Sequence, residues 1–222
     1  MTKVLVVAPH PDDETLGCAG TLLRHRFADD EIHWLIVTAM QEQHSFTRES
    51  VRARDLEISE VDSAFGFKSV TRLDHPTARL DQVGLATLIQ QIQETLERVS
   101  PNILYLPFPG DAHSDHRIVF NAAAACTKWF RNPSIDRTLA YETPSETDFS
   151  VHPTNAVFRP TVFIDISPYL ETKIQIMRLY ATEMGVFPFP RSDENIRSLA
   201  MHRGAQSGFR AAEAFALIKE KL

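Results

Sequence analysis

Two short stretches of this chain crowd together residues able to bind a metal or activate water. In Pro9-His10-Pro11-Asp12-Asp13-Glu14, one imidazole and three carboxylates follow each other closely; in Asp111-Ala112-His113-Ser114-Asp115-His116, two of each do. Neutral imidazole and carboxylate are standard ligands for zinc-like ions, and a catalytic zinc keeps three protein ligands and one open position. Two histidines, one ligating carboxylate and a spare carboxylate suffice for metal-assisted hydrolysis. Each stretch also has a plainer account. Asp and Glu favour the first turn of a helix through capping and the dipole, and Ser114 or Asp115 could simply cap a second helix. Neither account explains a histidine between two prolines, nor two such clusters each following an apolar run.

Those apolar runs are the elements that must position the clusters. Residues 4–8 are continuous and β-branched and predict a strand buried on both faces; residues 103–106 predict another ahead of the second cluster. Pro11 biases His10 away from helical geometry, so the first helix is expected to begin near Asp13 and end at Phe27. Further strands are expected over 32–38, 69–73, 138–142 and 161–166. Further helices are expected over 46–65, 115–130, 169–182 and 195–202. The clearest helix is 85–99, where Leu85, Leu88, Ile89, Ile92, Leu96 and Val99 form one stripe. This alternation predicts a Rossmann-like α/β fold, with a mainly parallel sheet and helices on both faces, in a single domain over 1–222. Ligands in such folds sit beyond the carboxyl ends of the strands, which is where both clusters fall. Residues 143–160 hold three prolines and read as a long loop.

Composition narrows the partners. A formal charge of -6 with scattered basic residues argues against nucleic acid or an anionic membrane as a partner. No segment approaches the ~20 apolar residues that span a bilayer, and the first apolar run stops at Pro9, too short for a signal peptide. Cys18 and Cys126 form no CxxC pair, so they are read as buried thiols in a reducing compartment. The expectation is a cytoplasmic protein with a small-molecule substrate, with homo-oligomerisation left open.

The run PHPDDETLGCAGTL, residues 9–22, resembles the first motif of the PIG-L/LmbE family of N-deacetylases, and HSDH, residues 113–116, resembles its second. Further matches are Arg54 with Glu57, Tyr141-Glu142-Thr143-Pro144-Ser145, Arg203-Gly204, and Ala212-Glu213-Ala214-Phe215. The resemblance implies hydrolysis of an N-acyl group, acetyl by preference, from an amino sugar or sugar conjugate. His10, Asp13 and His116 match the metal ligands, with Zn2+ as the first choice and Fe2+ or another divalent ion as alternatives. Asp12 matches the general base. His113 matches the donor to the carbonyl oxygen or leaving nitrogen, with Asp115 orienting it and favouring its imidazolium. The resemblance also implies a final strand over 209–218, against the helical propensity of its alanines.

Two loops depart from the family pattern. Thr38-Ala39-Met40-Gln41-Glu42 stands where a Thr-Asp-Gly-Glu-like segment is common, and Pro76-Thr77-Ala78 where a Pro-Asp-Gly turn is common. Arg54, Arg191 and Arg203 are candidate substrate contacts through the guanidinium fork, Arg54 first. His25, His33, His44, His75, His152 and His202 have no partner spacing and are read as packing or surface residues. Competing readings are an amidase acting on a non-sugar amide and a catalytically silent carbohydrate- or nucleotide-binding protein. A generic dinucleotide binder is disfavoured, because residues 9–20 hold no GxGxxG and are acidic.

Overall fold

The computed structural model describes residues 1–151 and 157–222. Its core is β1 (Lys3–Ala8), whose residues from Val4 onward are fully buried. Successive side chains in a strand point to opposite faces, and here both faces are covered. Val4, Val6 and Ala8 pack with Leu16, Leu22, Val61 and Ile174 on one side, while Leu5 and Val7 pack with Leu88, Ile92, Leu96 and Val119 on the other. The continuous apolar run follows from that double burial.

Among the described residues the sheet has seven strands: β1, β2 (Glu31–Ala39), β3 (Ser69–Pro76), β4 (Ile103–Pro107), β5 (Arg137–Tyr141), β6 (Val162–Asp165) and β7 (Ala212–Glu220). Their order is β3-β2-β1-β4-β5-β7-β6. The first five run parallel, and β7 is antiparallel to both β5 and β6. The helices are α1 (Asp13–Phe27), α2 (Arg48–Phe65), α3 (Leu85–Val99), α4 (Ser114–Ala125), α5 (Leu170–Met177) and α6 (Asp193–Ser207). The sheet is thus mixed but mostly parallel, as expected, and the order of connections reverses between β1 and β4. Val6 pairs with Tyr105 in register, so the loops after β1 and β4 leave the sheet side by side. That switch point is where open α/β sheets hold ligands.

α1 lies so close to the sheet and to α5 that two of its positions admit only glycine. A Cβ on Gly17 would lie 2.3 Å from the Tyr141 ring, and one on Gly20 would lie 2.5 Å from Ile166. A buried ion pair then pins this helix. Lys173 Nζ donates to Glu213 Oε1 and to the Leu16 carbonyl, each at 2.7 Å. Glu213 also accepts from the amides of Gly20 at 2.9 Å and Thr21 at 2.7 Å. α1, α5 and β7 are therefore joined at one point.

Most element boundaries follow the sequence, and the differences have local causes. α2 starts at Arg48, not at 46, because Thr47 Oγ1 caps it by accepting from the Ser50 amide. α4 stops at Ala125, short of 130, where the Asn132 side chain takes the Cys126 carbonyl. α5 is shorter than 169–182, and α6 is longer than 195–202, running from the Ser192 cap to Gly208 at φ 81°. The segment rich in alanine after 209 is a strand: pairing with β5 and β6 on either side overrides its helical propensity. His152 and part of the 143–160 loop lie outside the described residues. Both cysteines are free and buried, and among the described residues no helix is long and apolar enough to cross a membrane.

The buried pair yields a test of this packing. Replacing one partner strands the other's charge, a loss of about 3–5 kcal/mol. Lys173→Met should therefore move the urea midpoint down markedly at unchanged m-value. An unmoved midpoint would show that the pair does not anchor α1.

Candidate metal centre and active-site cleft

His10 follows β1 directly, Asp13 opens α1, and His116 lies in the first turn of α4. Two backbone segments, the β1–α1 junction and the start of α4, thus deliver the three donors. His10 Nδ1 and His116 Nε2 each lie 3.3 Å from the same oxygen, Asp13 Oδ2. A tetrahedral site with bonds of 2.0–2.1 Å has edges of roughly 3.3 Å, so the spacing fits a zinc-sized ion. A second triple, His10, His113 and Asp115, is about as compact. It fits less well, because Asp115 already accepts from the amides of Ala78 at 2.8 Å and Leu80 at 3.2 Å.

Each ligand-side histidine has a buried carboxylate behind it. His10 Nε2 lies 3.1 Å from Asp115 Oδ2, and His116 Nδ1 lies 2.8 Å from Asp111 Oδ2. Such partners orient a metal-binding imidazole and raise its basicity. The electrostatics agree that this pocket attracts positive charge. Burial disfavours a charged His10, but Asp115 and Asp13 outweigh it and lift the group to about 9. Burial likewise opposes charge on His116, yet Asp13 and Asp111 raise it well above the usual range. Asp13, despite its burial, is held well below the usual carboxylate range by His116 and His10. A divalent ion would satisfy the same carboxylates, displacing protons as it bound.

Asp12 stands apart from the three donors in both geometry and charge. As the N-cap of α1 it has φ 134°, ψ -28°, a conformation that costs on the order of 1–3 kcal/mol and clusters at functional sites. Its carbonyl still accepts from Thr15 and Leu16, and its amide donates to Glu14 Oε2 at 3.1 Å. Burial, then the charges of Asp13 and Glu183, raise its carboxyl well above the ordinary value.

His113 is placed differently from the expectation. Asp115 was expected to orient it and favour its imidazolium; the Asp115 carboxylate instead faces His10 and the 78–80 turn. The contact to His113 is made by the Asp115 amide, which donates to His113 Nδ1 at 3.1 Å. An accepting Nδ1 puts the ring proton on Nε2. Burial, then the nearby His10, bring His113 down to about 4, so it is a neutral N–H donor and not a cation.

These groups line a cleft of about 260 Å³ together with Pro11, Met40, Arg54, Thr77, Glu146, Glu183 and Arg191. The three arginines separate clearly. Arg54 donates to the Pro11 carbonyl at 2.8 Å, pairs with Glu57 at 3.0 Å and reaches Thr182 and Glu183. Most of its fork is used within the protein, so it braces the loop of the first motif. Arg203 pairs with Glu142 and is not part of the cleft wall. Arg191 reaches Glu183 at 3.2 Å and Asp12 at 3.7 Å, and is more exposed than Arg54. Glu146 and Glu183 were not singled out by sequence. Glu146 directly follows the quoted 141–145 match, whereas nothing local marks Glu183. Of the remaining histidines, His25, His33 and His75 are held by Asp30, Ser69 and Gln91 away from the cleft.

Fold and site together define a Rossmann-like α/β protein with a two-histidine, one-aspartate cluster at the switch point of its sheet. The chain belongs to the GlcNAc-PI de-N-acetylase (PIG-L) family, whose model matches residues 5–127. It is similar to the diacetylchitobiose deacetylase of Thermococcus kodakarensis, 23% identical over 232 residues, with 97% of this chain and 83% of the relative covered. It is 26% identical over 188 residues to the probable N-acetyl-alpha-D-glucosaminyl L-malate deacetylase 2 of Bacillus anthracis, covering 81% of this chain and 80% of that one. Among solved structures, the conserved protein TT1542 from Thermus thermophilus superposes with a TM-score of 0.79 at 25% identity, covering 100% of this chain and 97% of the other.

The different duties of the two arginines can be measured without substrate. Arg54→Ala leaves Glu57 and Glu183 short of a partner and should cost about 3–5 kcal/mol; Arg191→Ala, nearer the surface, should cost less than about 1 kcal/mol. Equal shifts in melting temperature for the two variants would contradict this division.

Proposed function

We propose that this protein removes an acetyl group from the nitrogen of an amino sugar or sugar conjugate, releasing acetate and a free amine, with a divalent ion held by His10, Asp13 and His116. The observation that carries this reading is the convergence of those three donors within 4.8 Å of one another, in a cleft also lined by Asp12 and His113. Zn2+ is the first choice by donor type and spacing, with Fe2+ an alternative. When bound, the ion would polarise the amide carbonyl and make water more acidic.

The chain's own residues supply the rest. The Asp12 carboxylate, with Arg191 at 3.7 Å, accepts a proton from the attacking water. His113 Nε2–H donates to the carbonyl oxygen as it gains negative charge; a pre-aimed donor of this kind is worth about 2.7–4 kcal/mol. The proton held by Asp12 then passes to the amide nitrogen as the C–N bond breaks, so that acetate and amine leave. Two unpaired cysteines suit a reducing cytoplasm.

The cleft walls also bear on the substrate. Met40 and Thr77, from the two departing loops, line the cleft. Between the lining residues Glu183 and Arg191, the loop exposes Val186 at 87% and Phe187 at 58%. Both features support an acetylated sugar with fewer free hydroxyls than N-acetylglucosamine, deoxygenated or substituted, with Arg191, held by Glu183 and near Asp12, as the more exposed cation of the cleft wall.

Purified protein should carry about one divalent ion per chain, and His116→Ala should lose most of it by elemental analysis. Full occupancy in that variant would remove His116 from the ligand set. Asp12→Asn should keep the ion while acetate release falls by about 10²–10⁴-fold, whereas Asp13→Ala should lose both; near-normal turnover in Asp12→Asn would exclude it as the base. Comparing kcat/KM for N-acetylglucosamine, acetylated deoxyamino sugars and simple non-sugar acetamides tests the substrate. Preference for the fully hydroxylated sugar would sink the reading of the two loops, and preference for the non-sugar amides would sink the sugar.

A further inference from the structure

Behind His116 lies a chain of hydrogen bonds whose direction is set at its far end. The backbone around Thr143–Thr147 forms one tight turn, with the amides of Glu146 and Thr147 both donating to the Thr143 carbonyl at 3.0 and 2.9 Å. Inside it, the Thr143 amide donates to Thr147 Oγ1 at 2.8 Å. The hydroxyl has a single proton to give, and it points to Asp111 Oδ1 at 2.6 Å. Asp111 is fully buried, and its second oxygen faces His116 Nδ1 at 2.8 Å. The Ala112 amide donates to the Glu146 carbonyl at 3.0 Å, tying the same turn to the loop that carries Asp111.

We infer that Thr147 is a positioning residue for His116, acting through Asp111 to hold the imidazole proton on Nδ1 and leave the Nε2 lone pair facing Asp13. The inference rests on the metal-dependent reading above. The physical reason is directional. With one oxygen already accepting from Thr147, Asp111 is oriented so that its other oxygen faces the ring nitrogen. A carboxylate there can only accept, so the ring must donate from Nδ1. The opposite tautomer would put a proton on Nε2, where a ligand lone pair is required, and leave Nδ1 and Asp111 as two facing acceptors in a dry pocket. Partners behind a ligating histidine are commonly worth 10–100-fold in metal affinity.

The same turn has a second consequence. Glu146 lines the cleft, and its neighbour Thr147 sets the ring behind the cleft. Whatever substrate group lies against Glu146 therefore meets the element that holds His116.

The test measures Zn2+ affinity by competition with a chelating dye in the wild type, Thr147→Val, Thr147→Ser and Asp111→Asn. It is paired with NMR of the His116 Nδ1–H in the Zn2+-loaded protein and a thermal melt of each apoprotein. Thr147→Val, close in shape to threonine but without the hydroxyl, should bind Zn2+ roughly tenfold more weakly, the low end of the range for such partners. Its Nδ1–H should exchange faster with water as the hydrogen bond to Asp111 loosens. Thr147→Ser should restore both values, and Asp111→Asn should weaken binding at least as much as Thr147→Val. Wild-type affinity and an unchanged Nδ1–H signal in Thr147→Val would overturn the relay while leaving the metal reading intact. A wild type that takes up no Zn2+ would overturn the metal reading, and the relay with it.

Discussion

Asp13 Oδ2 lies 3.3 Å from both His10 Nδ1 and His116 Nε2, with Asp13 and His116 almost wholly buried and His10 mostly so. Burying a carboxylate and two imidazoles is costly unless each polar atom has a partner. Much of the surrounding structure answers that requirement. Asp115 stands behind one histidine and Asp111 behind the other. Asp115 is in turn held by the amides of the 78–80 turn, and Asp111 by Thr147. The shell of partners draws on loops after β1, β3, β4 and β5, so the sheet must keep those strand ends level. The in-register pairing of β1 with β4, and of β4 with β5, supplies this.

A second network surrounds the proposed base. Asp12 sits in a strained backbone conformation at the start of α1. The carbonyl just before it, that of Pro11, is gripped by Arg54. Arg54 in turn binds Glu57 on its own helix and Glu183 after α5, and Glu183 also meets Arg191. This arrangement explains how a strained residue keeps its place: the segment is held on one side by α2 and on the other by the loop before α6. It also explains why the arginine that resembles a family contact is better suited to bracing than to binding. Arg191, on the more exposed side of Glu183, is the cation left facing the cleft.

The position of the first and second motifs was legible in the sequence because both follow apolar strand runs, and a parallel sheet places such ends together. α3 was legible to the residue because its stripe and its C-terminal stop are local signals. β7 was not legible from propensity. Its alanines favour a helix in isolation, but it lies between β5 and β6 and completes their hydrogen bonds. The neutral state of His113 was likewise hidden, since it follows from burial, from the neighbouring His10, and from which atom of Asp115 turns toward it.

The sequence by itself determined the types of group present, the elements that carry them, and the fold that aligns those elements, because these rest on periodicity and on contacts within a few residues. Tertiary structure alone decided which carboxylate stands behind which histidine, which arginine is buried and which more exposed, and how Thr147 reaches Asp111 from 36 positions away. Each of those outcomes depends on side-chain direction across separate strands and loops. Direction of that kind is set by packing over long sequence distance, where no local pattern records it.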